Sequence, residues 1–411
     1  MLTEELHGQA LVGLSVSLTM FVLPLKGGHR YDLSASLAQW LDSDEPADDS
    51  IRSAVSNPLE FVLPKPSFKS VSCQKELKRL QAVRNDLTSV LVKSDCHKNA
   101  IAENAINDCY EYHAILLMFE TQGFPAVSDS LAATSSSIKI SWKGAFDKDS
   151  SEAHATLVWE RAVITYNCAA LITQQAASCP VDATREECKQ RIVHCQQAAS
   201  LLAILRELCE SQPFSTVDLS AALLTFWESY LLAVAQDAVY RMMNFSDTPN
   251  NHSLALLSQS AHELYNVALK AAQDPRLQSD IPEHIQQAWA TECKSTSMFC
   301  AAKASFHQSL VYGPENKQWA CEIAMLRTSV EQCKAAKKFC KSVGEEPTNE
   351  LVRVADFVEE RLQTAEKDNR SLYHDYDAPD KLPDIPAKQL VKLNPQLPEA
   401  MLIPKVPLFS Y

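Results

Sequence analysis

Only eight of the 411 residues are glycine, and that scarcity limits the possible folds more than any other feature of the chain. Average usage near 7% would supply about 29. Dinucleotide-binding, P-loop and barrel enzymes need glycine where the backbone turns tightly or approaches a phosphate. A chain this poor in glycine reads instead as packed helices, and its 46% hydrophobic share gives those helices a core. Length alone suggests two or three domains of about 150 residues, although stacked helix pairs reach this size as one body. The eight glycines (Gly8, Gly13, Gly27, Gly28, Gly123, Gly144, Gly313 and Gly344) fall near expected element boundaries or in the N-terminal segment.

The net charge of −13, from 51 acidic and 38 basic residues, argues against a nucleic-acid binder or a protein held on anionic lipid by charge alone. Thirteen cysteines cannot all pair, and no C-x-x-C occurs. Reduced thiols in the cytosol are the simplest account. Cys188, His194 and Cys195, or Cys333 and Cys340, share helical spacing, but small buried residues on packed helices explain them better than a metal site. Residues 11–25 form the longest apolar run. Glu4 and Glu5 precede it where a signal peptide carries positive charge, and it is too short to span a bilayer. Alternation of Ser15, Ser17 and Thr19 with Leu14, Val16, Leu18 and Met20 predicts a strand over about 14–23. The chain reads as cytoplasmic.

Residues 40–66 form an acidic, proline-containing stretch. Helical periodicity begins near Gln74, with Leu77, Leu80, Val83, Leu87 and Leu91, and continues through Ile101, Ala105, Cys109, Tyr112, Leu116 and Phe119. Residues 135–142 read as a second strand that pairs with the first. From about Glu152 to Gln363 the chain is helix-compatible, interrupted at Cys179-Pro180, Gln212-Pro213, residues 247–251, Asp274-Pro275, residues 279–282, Gly313-Pro314 and residues 344–347. Such segments joined by short turns predict a tetratricopeptide-like array of antiparallel helix pairs over about 74–367. After Asn369 the chain becomes proline-rich yet keeps Leu390, Val391, Leu393, Leu397, Met401, Leu402 and Ile403, which predicts an extended tail over 370–405 packed on the helices.

No nucleophile elbow, zinc-peptidase, P-loop or kinase signature is present. His97, His113, His154 and His194 stand alone on helical segments. Glu160 and Arg161 read as a helix-surface or interhelix pair rather than acid and base. No catalytic, cofactor or metal residue is assigned, and the chain reads as a non-enzyme.

Three motifs carry more. Trp142-x-x-x-Phe146 precedes Tyr166-Asn167-Cys168-Ala169-Ala170-Leu171. Ala235-Gln236-Asp237 follows on a later helix. Lys367-Asp368-Asn369 leads to Leu372-Tyr373-His374-Asp375, then to prolines and Leu390-Val391-Lys392. In this order and spacing they resemble the BRO domain of the Alix, PalA and His-domain phosphatase family, with residues 11–405 as the domain, 1–10 as an extension and 406–411 as the end. The resemblance implies a banana-shaped, mainly α body with a small N-terminal sheet. It also implies an adaptor that binds the C-terminal amphipathic helix of an ESCRT-III core subunit in multivesicular-body sorting. Such an adaptor would be recruited to endosomes and would meet membrane only through partners. A Rho-signalling scaffold of the rhophilin type is the alternative.

Carried over by motif, the partner-helix groove would comprise Val239, Tyr240, Leu254 and Leu257, with Arg185 and Lys189 on its rim. Val239 stands where the family often has an aromatic residue, and Arg185 where Alix-like members have an acidic one. Trp142, Phe146, Asn167, Gln236, Lys367, Asp368, Asn369 and Tyr373 would be structural. Tyr373 reads as a packing residue for the tail, with Tyr376 nearby as a second exposed-looking tyrosine. With no lipidation box at Phe409-Ser410-Tyr411, the chain is expected to be a stand-alone domain or a truncated one.

Overall fold

The computed structural model describes residues 78–87, 99–121, 140–146, 151–154, 156–179, 184–246, 248–278, 281–344, 346–379 and 381–403. In chain order the elements are α1 (residues 78–87), α2 (Asn99–Thr121), β1 (Ile140–Lys143), β2 (Ser151–His154), α3 (Leu157–Ser178) and α4 (Arg185–Ser211). A 3-10 turn at Val217–Leu219 leads to α5 (Ala221–Asn244), α6 (Asn251–Ala272), the short α7 (Pro275–Gln278) and α8 (Glu283–Leu310). After a π turn at Val311–Glu315 come α9 (Trp319–Ser342) and α10 (Asn349–Asp368), a second π turn at Asn369–Tyr373, and α11 (Glu399–Leu402).

The helices start and stop for local reasons. Thr184 and Glu187 form a reciprocal capping box at α4: the Glu187 amide donates to Thr184 Oγ1 (3.3 Å), and the Thr184 amide donates to Glu187 Oε2 (2.6 Å). Asn250 accepts from the Ser253 amide at the start of α6, and Thr348 from the Leu351 amide at the start of α10. Gly344 ends α9 with φ +83°, a conformation that disfavours any Cβ. Gly313 is needed for a different reason. A Cβ there would fall on the Glu322 carboxylate, which Arg361 holds at 2.5 Å.

The sequence predicts a strand over 135–142 paired with the N-terminal segment, but residues 11–25 and 135–139 lie outside the described residues. β1 pairs antiparallel with β2, Ile140 opposite His154 and Trp142 opposite Glu152. Helical compatibility from Glu152 onward had hidden β2. Only seven residues, 144–150, separate the strands, and so short a closure costs little entropy.

The described residues fall into two compact units. One comprises Ala176–Ala199 and Thr225–Asn394; the other comprises the described parts of Leu23–Gln175 together with Ser200–Leu224 and the segment from Pro395. The first, helical unit has an aromatic layer in which Phe226 stacks on Trp289 at 4.6 Å beside Trp227. Its α8–α9–α10 core buries Phe299, Phe306, Leu326, Val330, Leu351, Val354 and Val358 around Ala302, Ala336 and Ala355. The spacing Leu351, Val354, Ala355, Val358 is the apolar stripe of an amphipathic helix. In the sheet-bearing unit Trp142, Trp159, Tyr112, Tyr166 and Phe119 are buried, and Trp159 Nε1 donates to the Ile140 carbonyl at 3.0 Å. Among the described residues no helix is long and apolar enough to cross a membrane.

Candidate partner-binding site

The groove residues named by motif sit on the α5–α6 hairpin of the helical unit. Gln236 joins the two helices to the tail with one side-chain amide. Its Nε2 donates to the carbonyls of Lys388 (3.0 Å) and Leu257 (3.4 Å), while its Oε1 accepts from the amides of Leu390 (3.1 Å) and Val391 (3.4 Å). All four hydrogen-bonding positions of the amide are used. The Lys388 amide donates to the Leu256 carbonyl, and the Lys392 amide to Gln196 Oε1 on α4. Glutamine suits the place because it alternates donor and acceptor without adding charge to a buried site.

One residue on, Asp237 begins a buried charge network. It accepts from Lys303 Nζ on α8 (2.7 Å) and Arg241 Nε (2.9 Å), and Arg241 also reaches Glu350 on α10 (2.9 Å). Burial alone would push the Asp237 carboxyl up, but Lys303 and Arg241 together hold it well below the usual carboxylate range. Lys303 lies over the Tyr240 and Phe299 rings, 4.5 and 4.8 Å from their centroids. Tyr240 Oη sits 2.9 Å from His307 Nε2, and His307 Nδ1 sits 3.1 Å from Asn251 Oδ1. Burial, helped by Lys303, lowers His307 to about 3. The ring is therefore neutral at physiological pH, and this pair of contacts assigns the proton to Nδ1.

Val239, Tyr240, Leu254 and Leu257 are only 5, 4, 1 and 2% exposed. They form the packed floor of the hairpin, with α6 also tied to α8 through Ser258 Oγ and the Cys300 carbonyl. An aspartate at Leu257 would therefore test folding before it tested binding. The exposed side chains nearby belong to the rim. Arg185, Lys189 and Val193 recur at four-residue steps along α4 and are all exposed, Val193 by 53%. Met243, one turn beyond Val239 on α5, is 37% exposed. Burial pushes the thiol of Cys188, beside Lys189, up, and the Arg241 charge on α5 partly offsets this. Lys189 pairs at 3.5 Å with exposed Glu186.

The other motif residues have separate tasks. Trp142 Nε1 donates to Glu160 Oε2 at 2.5 Å; Arg84 Nε and Tyr112 Oη reach Glu160 Oε1 at 2.8 and 2.9 Å. Glu160 is wholly buried, so of the two readings the interhelix one holds: Glu160 pairs with Arg84 and is the hub onto which α1, α2 and β1 converge, while Arg161 pairs with Glu120 on α2 at 2.8 Å. Asn167 is buried on α3 and Phe146 half-buried after β1. Asn369 locks the second π turn, donating to the Asp375 carbonyl (2.6 Å) and accepting from the Asp375 amide (3.0 Å). Asp375 in turn accepts from the Ala320 amide at the start of α9. Tyr373 stacks on Trp319 at 3.9 Å, while Lys367 is exposed. Sequence reasoning missed Arg84, Lys303 and Glu350. The available signal was a charged residue inside an apolar run, as in Cys300-Ala301-Ala302-Lys303-Ala304, which demands a buried partner.

Among the described residues no cluster of three or more metal-ligating side chains occurs. Burial pushes the Cys195 thiol up to about 12, so it stays protonated.

A family profile described as the BRO1-like domain matches residues 51–410. The chain belongs to the BRO1-like domain family. Human programmed cell death 6-interacting protein is 28% identical over 295 residues, covering 69% of this chain and 30% of that protein. The pH-response regulator palA/RIM20 of Emericella nidulans is 26% identical over 260 residues, covering 62% and 29%. The chain thus aligns with about 30% of the length of these curated relatives. Among solved structures, one titled "ALIX BRO1 CHMP4C complex" superposes with TM-score 0.75 and 22% identity over 95% of this chain and 99% of that one. Another, titled "Structure basis for endosomal targeting by the Bro1 domain", gives 0.68 and 18% over 91 and 92%. The BRO1 fold is therefore present, and Gln236, Asn369 and Trp142 are residues that hold it together.

Proposed function

We propose that this BRO1-like domain is a non-catalytic adaptor that docks the C-terminal amphipathic helix of an ESCRT-III core subunit. It is cytoplasmic and recruited to endosomes, where it serves multivesicular-body sorting and meets membrane through its partners. What supports the reading most is the likeness, over 95% of the chain, to a BRO1 domain solved as a complex with CHMP4C. The α4–α5–α6 surface supplies the means. A buried floor of Val239, Tyr240, Leu254 and Leu257 holds the hairpin rigid, Val193 and Met243 give the helix apolar contact, and Arg185 and Lys189 draw acidic residues on its flank.

The test is a titration of labelled ESCRT-III C-terminal peptides against the wild type and the surface variants Val193→Asp and Met243→Asp. Each variant is expected to weaken binding about tenfold with an unchanged helical circular-dichroism spectrum, roughly 1–3 kcal/mol for an anchor residue. Raising the salt should weaken the wild type as well, because the rim is basic. Affinity indifferent to both variants would move the site off this face. Capture of a Rho-type GTPase with no peptide binding would replace the ESCRT reading by the signalling-scaffold one.

A further inference from the structure

From residue 381 to 398 the chain forms neither helix nor strand. Within it stands Leu382-Pro383-Asp384-Ile385-Pro386-Ala387-Lys388, two apolar–proline pairs three residues apart followed by a cation two residues after the second proline. Each proline fixes its own φ near −65° and drives the residue before it to extended backbone. Both halves therefore favour a polyproline II helix of three residues per turn, in which 383 and 386 share one edge and 382, 385 and 388 the next. Pro383, Asp384, Pro386, Ala387 and Lys388 are exposed, and Leu382 and Ile385 are half-buried. Among the described residues from 381 to 388, Lys388 is the first to bond its backbone to the helices, through the Leu256 carbonyl and Gln236 Nε2. The body grips this segment at its downstream end by main chain alone and leaves the lysine side chain in solvent.

We infer that residues 382–388 are a docking peptide for an SH3-type domain. Its aromatic-lined groove takes the two apolar–proline pairs, and an acidic pocket beside the groove takes the Lys388 ammonium. The lysine selects this reader over other polyproline-binding folds, because a groove that recognises proline against aromatics alone has no use for a cation at that spacing. It also fixes the direction of the peptide, prolines first and charge last. Docking rolls Leu382 and Ile385 outward about the Lys388 anchor, which leaves the Gln236 bonds in place. The inference is independent of the ESCRT-III reading, since it uses neither α4 nor the hairpin floor.

The experiment titrates the full chain with an isolated SH3 domain that prefers P-x-x-P-x-K ligands, and in parallel with a WW domain. Saturable SH3 binding is expected, lost in the Pro383→Ala/Pro386→Ala double variant and weakened at least about tenfold by Lys388→Glu. Lys388→Glu keeps both main-chain anchors, so an unchanged thermal midpoint identifies a folded variant whatever the prolines do. Asp384→Ala, on the third edge, should bind like the wild type. Absence of SH3 binding, binding indifferent to Lys388→Glu, or capture by the WW domain alone would each overturn the inference.

Discussion

Glu160 in the sheet-bearing unit and Asp237 in the helical unit are both buried carboxylates, yet their partners differ in kind. Glu160 takes one cation, Arg84, and two neutral donors, Tyr112 and Trp142, with Arg84 also lying 5.6 Å from the Trp142 ring centroid. Asp237 takes two cations, and the surplus positive charge is matched by Glu350. A neutral donor can be lost from the first cluster and leave the ion pair intact. In the second the close partners are all charged, with only the Cys300 thiol as a distant neutral donor at 3.7 Å, so loss of any one ion strands a charge away from water. A buried ion pair is not in itself a strong source of stability, since its desolvation cost is comparable to its attraction. What such a network does well is admit one arrangement of its helices, here α5, α8 and α10.

The largest expected effect follows from that difference. Lys303→Met should cost about 3–5 kcal/mol in urea unfolding, because Asp237 is left with a shared arginine. The double variant Lys303→Met/Asp237→Leu should recover part of the loss. A cost below about 1 kcal/mol for Lys303→Met would show that water or rearrangement reaches the network.

Acid sharpens the comparison next. Among the described residues two neutral histidines are fully buried, one in each unit: His307 beside Tyr240, and His113, whose ring Nδ1 donates to the Met401 carbonyl at 2.9 Å. Burial lowers both to about 3, with Lys303 and Arg161 respectively adding to it. A base depressed in the folded state takes up its proton on unfolding. Its contribution is therefore complete above about pH 6.5 and drains away as the pH falls toward 3, by about 1.4 kcal/mol per pH unit for each histidine. Stability against pH should show this slope, and His307→Gln and His113→Gln should each remove its own share of it, the remainder coming from His194 and Asp237, which are also lowered in the fold. Equal slopes in wild type and variants would mean that these rings are already protonated in the fold.

The smallest effect belongs to the neutral donor. Trp142→Phe keeps the ring and its packing but removes one hydrogen bond to a carboxylate still held by Arg84, at a cost of about 1–3 kcal/mol. A loss as large as that of Lys303→Met would erase the distinction between the clusters.

Much of the helical framework was legible because its punctuation is chemical. The breaks read at Pro275, Pro314 and Gly344 act within a few residues, where spacing along the chain equals proximity in space, and the caps that the structure adds at Thr184, Asn250 and Thr348 are equally local. The family motifs were legible too, though not their work. Nothing local says that Gln236 must hold residues 388–391, or that Trp142 must reach Glu160. β2 was missed because four residues of mixed polarity form a strand only when β1 lies beside them.

The sequence by itself determined that this is a glycine-poor helical protein of the BRO1 type, since glycine content, periodicity and motif order are properties of the chain. Only the tertiary structure decided which face of each helix is covered. Leu254 and Leu257 carry the same apolar spacing whether they line an open groove or a closed core, and the packing of α5, α6 and α8 closed it. It likewise chose the partners of Glu160 and Lys303, 76 and 66 residues away from Arg84 and Asp237. Burial and charge pairing depend on what arrives from elsewhere in the chain, and a period of 3.6 residues carries no record of it.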